Sequence, residues 1–176
     1  MKINRELRRV EYQLIPCITA AQTTDVQQLA HEIWHAHYPG IIAVEQIDYM
    51  LESNYSEVAL KKQIREGQEL FLIARSGEKP AGFIGVYRRE GHELFLSKFY
   101  IKNDLHGRGI GRQSFALLLR RFPDIRIIRL QVNRQNIKAI NFYFSLGFRI
   151  ERCADFDIGN GYSMNDFIMR FQRADT

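Results

Sequence analysis

Gly107, Gly109 and Gly111 alternate with Arg108 and Ile110, and Arg112 follows at once. Glycine has no Cβ, so a ligand can come close to the main chain along such a run. After it, Phe115, Leu118, Leu119 and Phe122 recur at helical spacing until Pro123 ends the pattern. The front of a helix leaves several N–H groups without intrahelical partners, at the positive end of its dipole. Two arginines add fixed positive charge. The chemistry this predicts is phosphate binding. A P-loop would close on Gly-Lys-Ser/Thr, and the dinucleotide fingerprint is Gly-x-Gly-x-x-Gly; the present Gly-x-Gly-x-Gly matches neither.

A second pair of residues lies downstream. Asn136 and Tyr143 are seven positions apart on a predicted helix over 136–146, which puts them on one face about 10 Å apart along the axis. A long ligand lying on that face could touch both. Taken alone, the pair reads as a capping Asn and an amphipathic Tyr.

Together the two stretches carry a family resemblance. His106-Gly107-Arg108-Gly109-Ile110-Gly111 resembles the pyrophosphate arm of the GNAT (GCN5-related N-acetyltransferase) superfamily, Gln/Arg-x-x-Gly-x-Gly/Ala, with His106 at the Gln/Arg position. The run from Leu130 through Asn136, Ala139 and Tyr143 to Gly147-Phe148 is similar to the strand and helix that follow in that family. The resemblance spans roughly residues 70–171. It implies a mixed sheet whose middle strands, here 93–101 and 126–132, splay around acetyl-CoA. It also implies an N-acetyltransferase working by direct attack of a primary amine in a ternary complex. His106, Gly107, Arg108, Gly109, Ile110, Gly111 and Arg112 would hold the pyrophosphate. Phe99, Tyr100 and Ile101 would offer backbone groups to the pantetheine and thioester, with an N–H near Ile101 facing the oxyanion. Asn136 would bond the pantetheine arm, and Tyr143 would give a proton to the departing thiolate.

The general base is harder to place. Relatives carry Glu where this chain has Ser97. Glu93, or a water held by Ser97 and helped by His106, are the candidates. The absent carboxylate also leaves open a non-catalytic acyl-CoA-binding domain. A third reading comes from His31-Glu32-Ile33-Trp34-His35, which spells His-Glu-x-x-His and could hold zinc as a hydrolase does. It leaves the glycine loop and the 136–143 pair unexplained, so no metal is expected. The acceptor side is sketched by Glu45 and Asp48 and by a tail from Phe156 to Met169, with Asp157 and Asp166. That tail is similar to the last hairpin of bacterial polyamine N-acetyltransferases, and its acids would suit a cationic amine.

The elements that must position these residues follow from periodicity. A strand at 12–19 leads to a helix capped near Thr23, Thr24 or Asp25 and running to about 37. Two short helices at 44–53 and 56–66 follow. A meander at 70–74, 81–88 and 93–101 comes next, with a turn at Ser76-Gly77-Glu78-Lys79-Pro80. Then come helix 109–122, strand 126–132, helix 136–146 and strands 148–154 and 162–171. This predicts a mixed α/β (α+β) fold, mostly antiparallel, in a single domain over residues 1–176. The net charge of +5 favours an anionic ligand such as coenzyme A. No basic block with interleaved aromatics points to nucleic acid, and no apolar run points to a membrane span. Cys17 and Cys153 are expected as buried strand thiols in a reducing cytoplasm. The first nine residues lack the apolar stretch of a secretory signal. A homodimer is compatible with the sequence.

Overall fold

The computed structural model describes residues 11–75 and 77–174. The reading of the first nine residues, and Ser76 in the expected turn, lie outside them. The described elements are β1 (Gln13–Pro16), α1 (Ala20–His37), α2 (Val44–Tyr55), α3 (Glu57–Arg65), β2 (Gln68–Ala74), β3 (Gly82–Arg89), β4 (Glu93–Ile101), α4 (Ile110–Arg121), β5 (Ile127–Asn133), α5 (Ile137–Ser145), β6 (Arg149–Gly159) and β7 (Tyr162–Gln172). A 3-10 turn at Asn103–Leu105 follows β4. The strands form one sheet in the order β1-β2-β3-β4-β5-β7-β6, in which β4 and β5 are the parallel pair.

Strand alternation divides the core in two. On β2, Phe71 and Ile73 enter one cluster with Phe115, Leu118 and Phe148, under α4 and α5. Leu70 and Leu72 enter the other with Val26, Ile33, Trp34, Leu51 and Leu60, under α1 to α3. Helices thus cover both faces. Helix α1 begins earlier than its sequence suggests: Thr19 is the cap, in a capping box with Gln22. Thr23 and Thr24 instead turn their hydroxyls to the Ala20 carbonyl.

Two irregularities in β4 prepare the site. Gly85 stands opposite Lys98, but Val86 stands opposite Leu96, so Ser97 is the extra residue of a β-bulge. The bulge shifts the phase of the strand. Leu94 and Leu96 face the α4–α5 core, and so do Phe99 and Ile101, while Tyr100 joins the opposite cluster and Lys98 reaches Gln63 on α3. In addition, β4 pairs with β5 only from Glu93↔Ile127 to Leu96↔Leu130. Beyond that point β5 stays with β7, down to Asn133↔Asp166. The expected splay is therefore present, starting at Ser97. Among the described residues no helix is long and apolar enough to cross a membrane.

Candidate active site

The splay opens a groove of about 830 Å³ that passes from one face of the sheet to the other. Its α4–α5 side is built from the glycine loop. Gly107 (φ 77°) and Gly109 (φ 76°) both lie in the left-handed region, which lets the chain turn sharply into α4. The first helical bond there runs from the Gln113 N–H to the Gly109 carbonyl, 3.0 Å. The N–H groups of Ile110, Gly111 and Arg112 precede it and meet no acceptor among the described residues. Gly111 serves packing as well: a Cβ there would lie 2.7 Å from the Phe142 ring. The Arg112 guanidinium reaches the Ser145 carbonyl and hydroxyl. Arg108 turns back to the Asp104 carbonyl and does not line the groove.

His106 lines the groove and donates from Nε2 to the Ile101 carbonyl at 2.8 Å, which ties the loop to the end of β4. That bond puts a proton on Nε2, and the buried Nδ1 has no hydrogen-bond partner among the described residues. Asn136 caps α5 through Oδ1, which accepts from the Ala139 N–H and from His37 Nε2, each at 3.2 Å. Burial lowers the His37 pKa, which favours this neutral donor form. No described residue accepts from Asn136 Nδ2. Tyr143 faces the same groove and is buried among Phe142 and Phe148. Burial, helped by Tyr38, raises its phenol well above the ordinary range, so it stays protonated.

The structure thus brings Ser97, Phe99, Tyr100, Ile101, His106, Gly107, Gly109, Ile110, Gly111, Arg112, Asn136 and Tyr143 to one groove. Glu93 is not brought there. It sits where β4 and β5 are still paired, with its carboxylate on Arg129, which also holds Glu151. Ser97 lines the groove, but its hydroxyl donates to the Gly85 carbonyl at 3.0 Å and accepts from Gln68 at 2.9 Å. Those bonds hold the bulge.

The α1–α3 side of the groove adds Tyr38, Tyr55 and Lys98, which the sequence did not single out, to Tyr100 and Asp166, which it did. Tyr38 and Tyr100 approach hydroxyl to hydroxyl at 3.4 Å, and Trp34 packs on Tyr38 and Tyr55. Lys98 is 6% exposed; its Nζ bonds Gln63 Oε1 at 2.6 Å and lies 5.2 Å from the Tyr55 ring centre. Burial lowers this ammonium to about 8. Asp166, on β7, is 1% exposed, and neither carboxyl oxygen has a hydrogen-bond partner among the described residues. Burial pushes its acid up to about 6 against the pull of Arg134, with Asp155 adding to the rise.

The other acids named from the sequence stand outside the groove. Asp48 is exposed and pairs with His35 at 3.0 Å; Asp157 caps the Gly159 N–H. Glu32 pairs with Lys102 at 2.8 Å, and His35 Nδ1 meets the His31 carbonyl. Glu32 and His35 of the His-Glu-x-x-His run are thus engaged with other groups, and no cluster of three metal-binding side chains occurs among the described residues. Cys153 is exposed on β6, unlike the buried Cys17, whose thiol burial pushes up to about 12.

Residues 26–148 match the model of the acetyltransferase (GNAT) family. The chain belongs to that family. Among curated GNAT relatives, an uncharacterised N-acetyltransferase of Mycobacterium tuberculosis (strain H37Rv) is 27% identical over 133 residues, covering 74% of this chain and 85% of that protein. A spermidine N(1)-acetyltransferase of Thermoplasma acidophilum is 29% identical over 130 residues, covering 70% and 80%. Among solved structures, the PaiA N-acetyltransferase of T. acidophilum in complex with coenzyme A has a TM-score of 0.73 at 23% identity, over 93% of this chain and 99% of that one. A GCN5-related N-acetyltransferase from Rhodopseudomonas palustris gives 0.75 at 15% identity, over 93% and 96%. The chain is accordingly an acetyltransferase with the GNAT fold.

Proposed function

We propose that the chain transfers acetyl from acetyl-CoA to a primary amine by direct attack. One observation carries the reading: the unpartnered N–H groups at the front of α4 and the Tyr143 hydroxyl face the same groove, entered where β4 leaves β5. The diphosphate of the coenzyme would sit on those amides beside Arg112. The pantetheine would run along Phe99 to Ile101, in the place of the missing strand pairing, and take a hydrogen bond from Asn136 Nδ2. The residues fit such a ligand because the groove offers donors at one end and apolar walls, Phe142 and Ile101, along its length. The crystallised complex of the PaiA N-acetyltransferase with coenzyme A supports the same choice.

The chemistry then balances simply. An ammonium acceptor first loses one proton. The free amine attacks the thioester carbon, the N–C bond forms and the C–S bond breaks, and a second amine proton ends on sulfur. A phenol as weak as Tyr143 acts mainly as a hydrogen-bond donor to the developing thiolate. Incubation with acetyl-CoA and a panel of amines, followed by thiol release, tests the reading. Release that depends on an amine supports it; no release with any amine overturns it.

A further inference from the structure

The Lys98 ammonium sits in the groove without a counter-charge. Among the described residues no carboxylate lies within 4.0 Å of Nζ; its contacts are the neutral Gln63 amide and the Tyr55 ring. Among the charged residues that line the groove, Lys62 and Glu66 pair with each other at 3.8 Å. A buried ammonium is ordinarily paired, because its desolvation is costly. Only one of its three N–H donors is engaged by Gln63.

Position says which ligand could supply the missing charge. The α4 front, on the opposite face of the sheet, takes the coenzyme's phosphates. Lys98 faces α3 because the Ser97 bulge turns it away from that face. It therefore lines the end of the groove left for the acceptor, beside Trp34, Tyr38 and Tyr55. Of the acids that would suit a polycation, Asp48 and Asp157 lie outside, while Asp166 lines the groove from β7, where burial disfavours its charged form. From this geometry we infer that the acceptor is an amine that also bears an anionic group, carboxylate or phosphate, which Lys98 holds while the amine meets the thioester. Amino acids, short peptides with a nearby acid, and amino-sugar phosphates have this chemistry; spermidine does not.

This inference rests on the acetyltransfer reading above, and its test separates the two. Thiol release from acetyl-CoA is measured for matched pairs: an amino acid or dipeptide against its amide, an amino-sugar phosphate against the free amino sugar, and spermidine. The expected result is a kcat/KM at least tenfold higher for an anionic member than for its neutral partner, and above that for spermidine. The two kinds of pair tell carboxylate from phosphate. In Lys98→Met the preference should collapse toward one while coenzyme affinity stays within twofold. Spermidine as the best acceptor, or a preference that survives Lys98→Met, overturns the role of Lys98 and leaves acetyltransfer standing. A tenfold loss of coenzyme affinity in the variant would assign Lys98 to the coenzyme and overturn it as well. Silence with every amine sinks both.

Discussion

Leu96 and Leu130 stand opposite each other as the last paired residues of β4 and β5. One step further, Ser97 is the bulged residue of β4, while Gln131 continues along β7 opposite Ile168. A parallel pair that parts in mid-sheet leaves main-chain groups of both strands without strand partners. A ligand with alternating amides, such as pantetheine, could occupy that gap.

Tyr143→Phe removes one hydroxyl from that gap and little volume. A hydrogen bond to a developing charge contributes about 1.5–3 kcal/mol, so turnover should fall roughly ten- to a hundredfold. Coenzyme affinity should barely change. Steady-state rates beside equilibrium binding check this, and unchanged turnover would remove the tyrosine from the chemistry.

Gly109 and Gly111 should respond differently to alanine. At Gly109 nothing lies within 4 Å of an added Cβ, and the cost is the φ of 76°. That amounts to roughly 1 kcal/mol. At Gly111 the methyl would meet Phe142, whose ring is held between Phe99 and Tyr143, with centres 5.7 and 5.5 Å away. Overpacking of this kind costs about 1–3 kcal/mol. Thermal unfolding should rank Gly111→Ala below Gly109→Ala, and the reverse order would contradict the packing described for α4 against α5.

Asp166 gives a pH prediction of definite sign. Its acid stands at about 6 in the fold against an ordinary 3.8. Folding therefore favours the protonated form, and this residue's contribution to stability falls as pH rises through that window. Arg134 opposes the rise, Asp155 adds to it, and the buried Tyr38 phenol is also close enough to feel the charge. Asp166→Asn should melt several degrees above the parent at pH 7.5, by up to about 3 kcal/mol. The gain should shrink below pH 4. Equal melting at both pH values would show that the carboxylate has a partner in the fold.

The parts legible in the sequence were local. The glycine run, the periodic helix behind it and the Asn136–Tyr143 spacing each carry their signal within a few residues, and the structure gathers them in one groove. Lys98 escaped, and Asp166 was read only as one acid of the tail, because their burial is set at long range. Lys98 depends on a bulge visible only in the register against β3, and Asp166 on pairing with Asn133 of β5. Glu93 was a candidate as an acid on the same strand, but it sits where β4 and β5 are still paired and Arg129 holds its carboxylate. Ser97, read as the site of an absent base, holds the bulge that aims Lys98.

Hydrogen exchange with and without acetyl-CoA tests the central claim most directly, because it reads the main-chain amides themselves. Saturating coenzyme should slow exchange at residues 97–101, at 107–112 and along 136–143, and leave α2 and α3 nearly unchanged. Exchange at 107–112 that is identical with and without acetyl-CoA would contradict a coenzyme held on the front of α4.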